Sequence, residues 1–440
     1  MNRATSILNL AALFATVLFF IPAAKAQRGF NITVTPTNQN AVAIGWKVQS
    51  ATPVGDLIIL PQFQVERSAD LKNWTPVSGM IAGTLSQKLA FNDPQGGMGF
   101  YRVNSIIDQE YAQLDHVKLD GGQLQSADFF GAALFGSSLQ SATLTNANFG
   151  GADVRNANFS NANLAGADFF AVNALQATFD SSSMIGADAS FGNFEAASLF
   201  NVDLTGADLS SATLTAANLD FATFQQMKLD TNTVMDAKPK LIWQAVNIGL
   251  TNAVLTNKDL SFARLNGANF NGARLNNANF TESFMNNADV RGANLTNATL
   301  VFVTWVGAQM DTNTTIEARS RLAWQIINQN YGMNRDLRST NLTSMDLNGA
   351  NFFGANLSNA VCSASLFEQG NFGNASLAKA TCINCDFFQA MLTNAVLTNA
   401  NFSGADFTSA SLLNSNTNGA TFSGATFFNT TMPNGTIRNF

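Results

Sequence analysis

The sequence predicts an all-β chain: a small antiparallel β-sandwich, then a long coil of very short strands into which two short helices are set. Three observations predict it. First, from Leu114 onward a bulky apolar residue recurs at every fifth position. In NFSNANLAGADFF (Asn158 to Phe170), for example, Phe159, Leu164 and Phe169 each follow Asn or Asp. A helix repeats every three or four residues and a strand every second, so neither element alone has this period. Second, the chain before Leu114 alternates apolar and polar residues at strand period. Third, the five-residue beat stops twice, each time for a similar segment with helical spacing.

Residues 1–26 read as a removable secretory leader. Arg3 supplies the positive start, Ile7 to Ile21 is almost wholly apolar, and Ala24-Lys25-Ala26 is a small-x-small cleavage site. The apolar run is short for a membrane span and stops at Pro22. The expected localisation is therefore secreted or periplasmic. Removing the leader takes away Arg3 and Lys25 and no acid, so the net charge falls from −6 to −8. That balance disfavours nucleic acid and anionic lipid as partners.

Residues 27–107 contain FNITVTP, AVAIGWKV, LIILPQFQVERS, KLAFND and FYRVNS, separated by TNQN, TPVGD and PQGGMG. Short strands with turns at this spacing make a sandwich. FQVERSADLKNWTPVSG and FYRV resemble the middle and final strands of fibronectin type III-like modules, and Trp46 and Trp74 are read as packing residues there.

The first array spans 110–231. Its centres run from Leu114 to Leu229 without a slip, 24 units in all, and 20 of the centres are Leu or Phe. The residue two before the centre is Ala in 16 of the 24, which makes a small inward position a rule of the unit. A second array (258–312) carries centres from Leu260 to Met310, and a third (336–440) carries centres from Leu337 to Ile437. Between them lie 232–257 and 313–335. DTNTVMDAKPKLIWQAVN and DTNTTIEARSRLAWQIIN show that these two segments are copies of one design. Leu241, Ile242, Ala245 and Val246, and likewise Leu322, Ala323, Ile326 and Ile327, fall on one face of a short helix. Gly249 and Gly332 stand where each helix is expected to stop.

An A-(D/N)-(L/F)-x-x unit places a small and a large apolar residue on the same side of an extended segment and follows them with a turn-forming pair. Such units coil with the centre and the residue two before it inside, and the residue between them outside. ANFSN, ANLAG, ADLSS, ANFNG and ADFTS resemble the pentapeptide-repeat family almost verbatim over about 280 residues. The resemblance implies a right-handed, four-sided parallel β-helix with four units per coil. Residues twenty apart then stack about 4.8 Å apart, which puts Phe129, Phe149 and Phe169 in one column. At that spacing the arrays together would extend about 65 Å.

Little in the composition points to chemistry. His116 is the only His and falls at an outward corner, so a Ser-His-Asp or Cys-His mechanism has nothing to build on. Carbohydrate-cleaving parallel β-helices carry long loops that wall a cleft, and this chain has no insertions but the two helical ones. The chain is read as no enzyme, with no catalytic residue and no cofactor. Cys362 and Cys382 are stacked centres, and Cys385 completes a C-x-x-C that lacks further Cys or His nearby. Stacked Cβ atoms about 4.8 Å apart exceed the usual disulfide range, so buried free thiols are expected and no metal centre.

Two surface features remain as candidates. Asp128, Asn148, Asp168, Asp188 and Asp208 fall in one outward column. The plainer reading is repeat formula bonded to nearby backbone, and the sharper one is a cation-binding row made of Asp128, Asp168, Asp188 and Asp208. Phe130, Phe170, Phe353, Phe388 and Phe428 each follow a central Phe and point outward or pack at a corner, as partner contacts or as covers for neighbouring corners. The function expected is a non-enzymatic exported scaffold that binds a protein or envelope partner. The alternative is an inhibitor or regulator acting by nucleic-acid-like acidic mimicry, as the resemblance implies for some cytoplasmic members of the family. No polar cap is seen after Ile437, which suggests a homodimer through the C-terminal coil.

Overall fold

The computed structural model describes residues 114–439. Ahead of them only strand backbones are described: Ala41–Val48 pairs antiparallel with Phe30–Asn38 and Ser86–Asn92, and Gln62–Ser68 with Phe100–Ile106. Within the leader 1–26, Ser6–Asn9 pairs antiparallel with Leu18–Ile21; the side-chain packing of the sandwich 27–107, the Trp46 side chain and Trp74 lie outside what is described. The chain divides into two compact units. One is Met1–Ser198 with Ala207–Ala217 and Lys228–Val234; the other is Leu199–Gly206 with Asn218–Met227 and Met235–Phe440.

The first unit shows how a period of five becomes a coil. Val154 accepts a hydrogen bond from the Ala157 N–H at 3.0 Å, closing a four-residue turn around Arg155 and Asn156. Asn156 takes φ 56°, the left-handed conformation that the second central residue of such a turn requires. The same position carries Asn161 at 59° and Gly166 at 65°. Asn and Gly are the residues that adopt this conformation at least cost, which explains their abundance in the turn pair. Between turns the strand is so short that one residue bridges each neighbouring coil: Asn158 N–H donates to Ser137 O and Phe159 N–H to Thr178 O. The bridges are parallel and join residues twenty apart, four units per turn of the coil.

Inside, the small residue and the centre are both buried, as at Ala157, Phe159, Ala162 and Leu164. Phe129, Phe149 and Phe169 stack with centroids 4.9 Å apart and planes within 9° of parallel, and Phe159 stands edge-on to Phe149 at 5.5 Å. Each ring gains about 1.5–3 kcal/mol from burial, and each ring pair about 0.5–1.5 kcal/mol more.

The second unit repeats the arrangement. Phe367, Phe387, Phe407 and Phe427 form one ring column and Phe402 and Phe422 another. Three details differ from the sequence expectation. The regular coil is regained at Leu250, whose N–H donates to Asn269 O, rather than at Leu260. After the second helix it is regained at Gly332, an inward position where a Cβ would stand 2.6 Å from Asn351 O; Gly332 is therefore not the helix stop. At the far end, Ile437 is not a further centre. Ile437–Arg438 folds back antiparallel on Thr430–Thr431, and the Arg438 guanidinium lies 4.4 Å over the Phe427 ring.

Candidate functional site

A typical corner passes an N–H forward to a carbonyl in the next coil, as Asn161 does to Asp180 O at 2.9 Å. Inserting a helix removes that carbonyl and would leave a donor without an acceptor, an arrangement costing about 1–3 kcal/mol when buried. Both inserts replace the lost carbonyl with side-chain oxygen. At their starts, Ser211 N–H donates to Asp230 Oδ1 (2.8 Å) and Gly292 N–H to Asp311 Oδ1 (2.9 Å). At their ends, Gln226 N–H donates to Asn247 Oδ1 and Gly307 N–H to Asn328 Oδ1, both at 2.7 Å. The Ser211 hydroxyl, followed by burial in the opposing sense and further N–H donors, holds Asp230 well below the usual carboxylate range. The Gly292 N–H is the leading cause of the same downward shift in Asp311.

The helices are α1 (Ala237–Asn247) and α2 (Ala318–Gln329). Such short helices need tertiary packing. α1 buries Pro239, Ile242 and Ala245, and α2 buries Ser320, Ala323, Trp324 and Ile326. Trp243 Nε1 donates to Met227 O at 2.8 Å and Trp324 Nε1 to Ala308 O at 2.7 Å. Trp324 is buried and Trp243 half-buried. One turn on, Asn247 Nδ2 donates to Phe224 O and Asn328 Nδ2 to Trp305 O, both at 2.8 Å. Gly249 ends α1 at φ 84° with its N–H on Gln244 O, whereas α2 ends at Asn330 with φ 53°. Where α1 leaves the coil, the corner at Phe221 bonds directly to Phe262 O. Arg264 secures that join, donating to Phe221 O and Asn201 Oδ1 with its guanidinium 5.1 Å from the Phe284 ring.

The Asp column forms as a row of parallel bridges, Asp128–Asn148–Asp168–Asp188–Asp208, and ends at Lys228. Its carboxylates each accept the backbone N–H two residues on: Phe130 for Asp128, Phe170 for Asp168, Ser190 for Asp188 and Ser210 for Asp208. Asn148 Nδ2 also reaches Asp128 at 2.9 Å, and Lys228 stands 3.5 Å from Asp208. Burial raises the Asp208 pKa, but the Ser210 bonds and Lys228 outweigh it and the net shift is downward. Elsewhere the same outward position pairs with Arg two residues on, in Asp153–Arg155, Asp289–Arg291 and Asp336–Arg338. Among the described residues, no three His, Cys, Asp or Glu side chains are grouped to hold a metal ion.

The five outward Phe divide. Phe130 and Phe353 lie over corners while remaining exposed: a Cβ on Gly150 or Gly373 would meet their rings at 3.1 and 3.0 Å. Phe388 is half-buried. Phe428 is exposed, and Phe170, 47% exposed, stands edge-on to Phe191, 61% exposed, at 5.5 Å. Phe191 was not among the sequence candidates. Its φ of 59° is unusual for a bulky residue.

His116 is exposed at an outward corner, with its ring over Gly136, where a Cβ would meet Nδ1 at 2.6 Å. Cys362, Cys382 and Cys385 are buried free thiols, and the Cys385 thiol donates to Cys362 O. A cavity of about 410 Å3 opens beside α1, lined by Ala237, Lys238, Lys240, Leu241, Gln244, Lys258 and Asp259, with no nucleophile–base pair.

The pentapeptide repeats family matches this chain in overlapping stretches that together cover residues 123–173, 197–230, 250–304 and 336–424, more than half of its length. The chain is a pentapeptide-repeat protein, and its fold is the right-handed β-helical solenoid of that family. It is similar to HetL, a pentapeptide repeat protein involved in heterocyst differentiation regulation from the cyanobacterium Nostoc sp. strain PCC 7120. The two share 17% identity over 72% of this chain and 94% of HetL, with a TM-score of 0.17. QnrB1, a plasmid-mediated fluoroquinolone resistance protein, matches at 20% identity over 46% of this chain and 87% of its own, with a TM-score of 0.19. A pentapeptide repeat protein of the Arabidopsis thaliana thylakoid lumen matches at 19% over 25% and 74%, with a TM-score of 0.21. No curated protein sequence matches the chain.

Proposed function

We propose that this pentapeptide-repeat protein is a non-enzymatic, exported scaffold that binds a protein partner through the outer walls of its coils. The observation that carries the reading is the Phe170–Phe191 pair, two exposed aromatic rings in mutual contact. An aromatic kept in a left-handed turn and in solvent incurs two costs that a core role would not require. Export rests on the leader read in residues 1–26, and the fibronectin type III-like module on the alternation in 27–107. The nucleic-acid-mimicry alternative is weakened by Arg155, Arg291 and Arg338, which neutralise outward carboxylates. No helix among the described residues is long and apolar enough to cross a membrane. A second copy of the chain is the occupant proposed for the last described coil, where the Thr417 and Phe422 N–H groups find no acceptor among the described residues.

The test is capture from envelope and supernatant fractions by the immobilised chain and by its Phe170→Ser/Phe191→Ser variant. Specific capture that the variant loses supports the reading. Capture that survives the substitutions but is displaced by duplex DNA would transfer support to mimicry.

A further inference from the structure

We infer that Asn418 is a site of spontaneous deamidation that the fold leaves open while protecting the other Asn-Gly pairs. The described chain holds five such pairs: Asn266-Gly267, Asn271-Gly272, Asn348-Gly349, Asn418-Gly419 and Asn434-Gly435. In the reaction the Gly nitrogen loses its proton and attacks the Asn side-chain carbonyl carbon. A C–N bond forms, ammonia leaves, and the resulting succinimide is opened by water to aspartate or isoaspartate. Gly is the residue after which this is easiest, because no Cβ blocks the approach.

The nucleophile must be free, and in the stacked coils it is not. Gly267 N–H donates to Asn286 O, Gly272 N–H to Arg291 O, and Gly349 N–H to Glu368 O at 2.7 Å. Gly435 N–H donates to Met432 O within its own turn. The electrophilic amides are engaged as well. Asn266 Oδ1 accepts from Asn286 N–H, Asn348 Oδ1 from Glu368 N–H, and Asn434 Oδ1 from Thr436; the Asn271 side chain bonds to Asp289. Asn418 differs in both respects. Among the described residues no carbonyl accepts from Gly419 N–H, and the Asn418 carboxamide is exposed and makes no hydrogen bond with them. Its main chain is held on both sides, the carbonyl by Asn399 N–H at 3.0 Å and the N–H by Asn416 Oδ1 at 3.2 Å. Gly419, at φ 72°, is the second central residue of a turn closed by Ala420 N–H on Thr417 O.

Conversion adds a negative charge, and in part a rerouted backbone, to the terminal edge of the array. A second copy seated on that edge would bond Gly419 N–H and slow the reaction, so the measurement is made in dilute solution. The folded full-length chain is incubated at mildly alkaline pH, digested at acidic pH, and its peptides followed by mass spectrometry for replacement of the amide by a hydroxyl. Asn418 should convert about fivefold faster than Asn266, Asn271 or Asn348, the factor corresponding to one net hydrogen bond of about 1 kcal/mol. In denaturant all five should convert at similar rates. Another Asn leading in the folded chain, equal rates in the folded chain, or an Asn418 lead that persists in denaturant would each overturn the inference.

Discussion

Replacing Asn328 by Ala should open the junction between α2 and the coil beneath it. The side chain makes three bonds: Oδ1 accepts Gly307 N–H at 2.7 Å, and Nδ2 donates to Trp305 O at 2.8 Å and Trp324 O at 3.0 Å. Truncation leaves Trp305 O in a part-buried junction, and Gly307 N–H at an exposed corner, without the partner the fold provides. At about 1 kcal/mol for each bond, with the carbonyl of Trp324 still able to find water, the loss is about 2–3 kcal/mol. A solenoid is stabilised by neighbour interfaces, and a long array need not unfold in one step, so a global melting curve would dilute the effect. Amide hydrogen exchange reports it locally. Gly307 N–H and the last turn of α2 should exchange roughly 30- to 150-fold faster, the factor for that free energy. Gln329, the next residue on the same helix, is exposed and serves as the control. Equal acceleration by Asn328→Ala and Gln329→Ala would refute the claim that this amide replaces a missing coil carbonyl.

Three further outcomes are expected. Ala157→Leu should overpack the coil and cost about 1–3 kcal/mol in denaturant titration, whereas the same exchange at outward Ala165 should cost far less; equal costs would invert the inside–outside assignment. Ser283 is buried and its hydroxyl has no partner, so Ser283→Ala should leave stability unchanged or raise it by about 1 kcal/mol, while Ser137→Ala, which loses the 2.6 Å bond to Leu114 O, should lower it by a similar amount. Burial, partly offset by the Asn348 N–H, raises the Asp346 pKa above 3.8, so folding favours its protonated form. Its stabilising contribution is present below the unfolded value and is lost as pH rises through the folded one. Asp346→Asn should therefore be more stable than wild type at neutral pH, and the gain should shrink as pH falls, as read from denaturation midpoints across the acid range.

The inward and outward positions were legible because a strict period ties each residue's place in the unit to its side of the wall. The turn was less legible. Asn156 looks like a neutral outward position, yet its φ of 56° means a branched or bulky substitute would be strained there. The pairing of Asn with a Gly twenty residues later, as in Asn384 over Gly404, was also missed; the Asn carbonyl occupies the space a Cβ would need. Such couplings depend on stacking, and no local pattern reveals them. The Asp-Thr-Asn-Thr and Trp repeats marked both inserts, but the Asn four residues after each Trp went unread. Its identical spacing in the two copies was the available signal. Leu250 and Leu255 already carried the five-residue beat ahead of Leu260, hidden because the helical segment precedes them without a break in composition. The exposed pair Phe170–Phe191 joins different corners, so the sequence offered only its first half.

The oxygens at the ends of the inserts have a consequence for how such a chain can change length. A coil corner senses an acceptor at a given point in space and is indifferent to whether a main-chain carbonyl, a carboxylate or a carboxamide delivers it. Asp230 and Asn247 bracket one departure from the regular path, and Asp311 and Asn328 bracket the other. Between each pair the Trp is also tied to the coil, Trp243 to Met227 O and Trp324 to Ala308 O, and the rest is freer to vary. The array is thus a fabric that can be cut and hemmed, with the hem at the two sutures and one stitch between them.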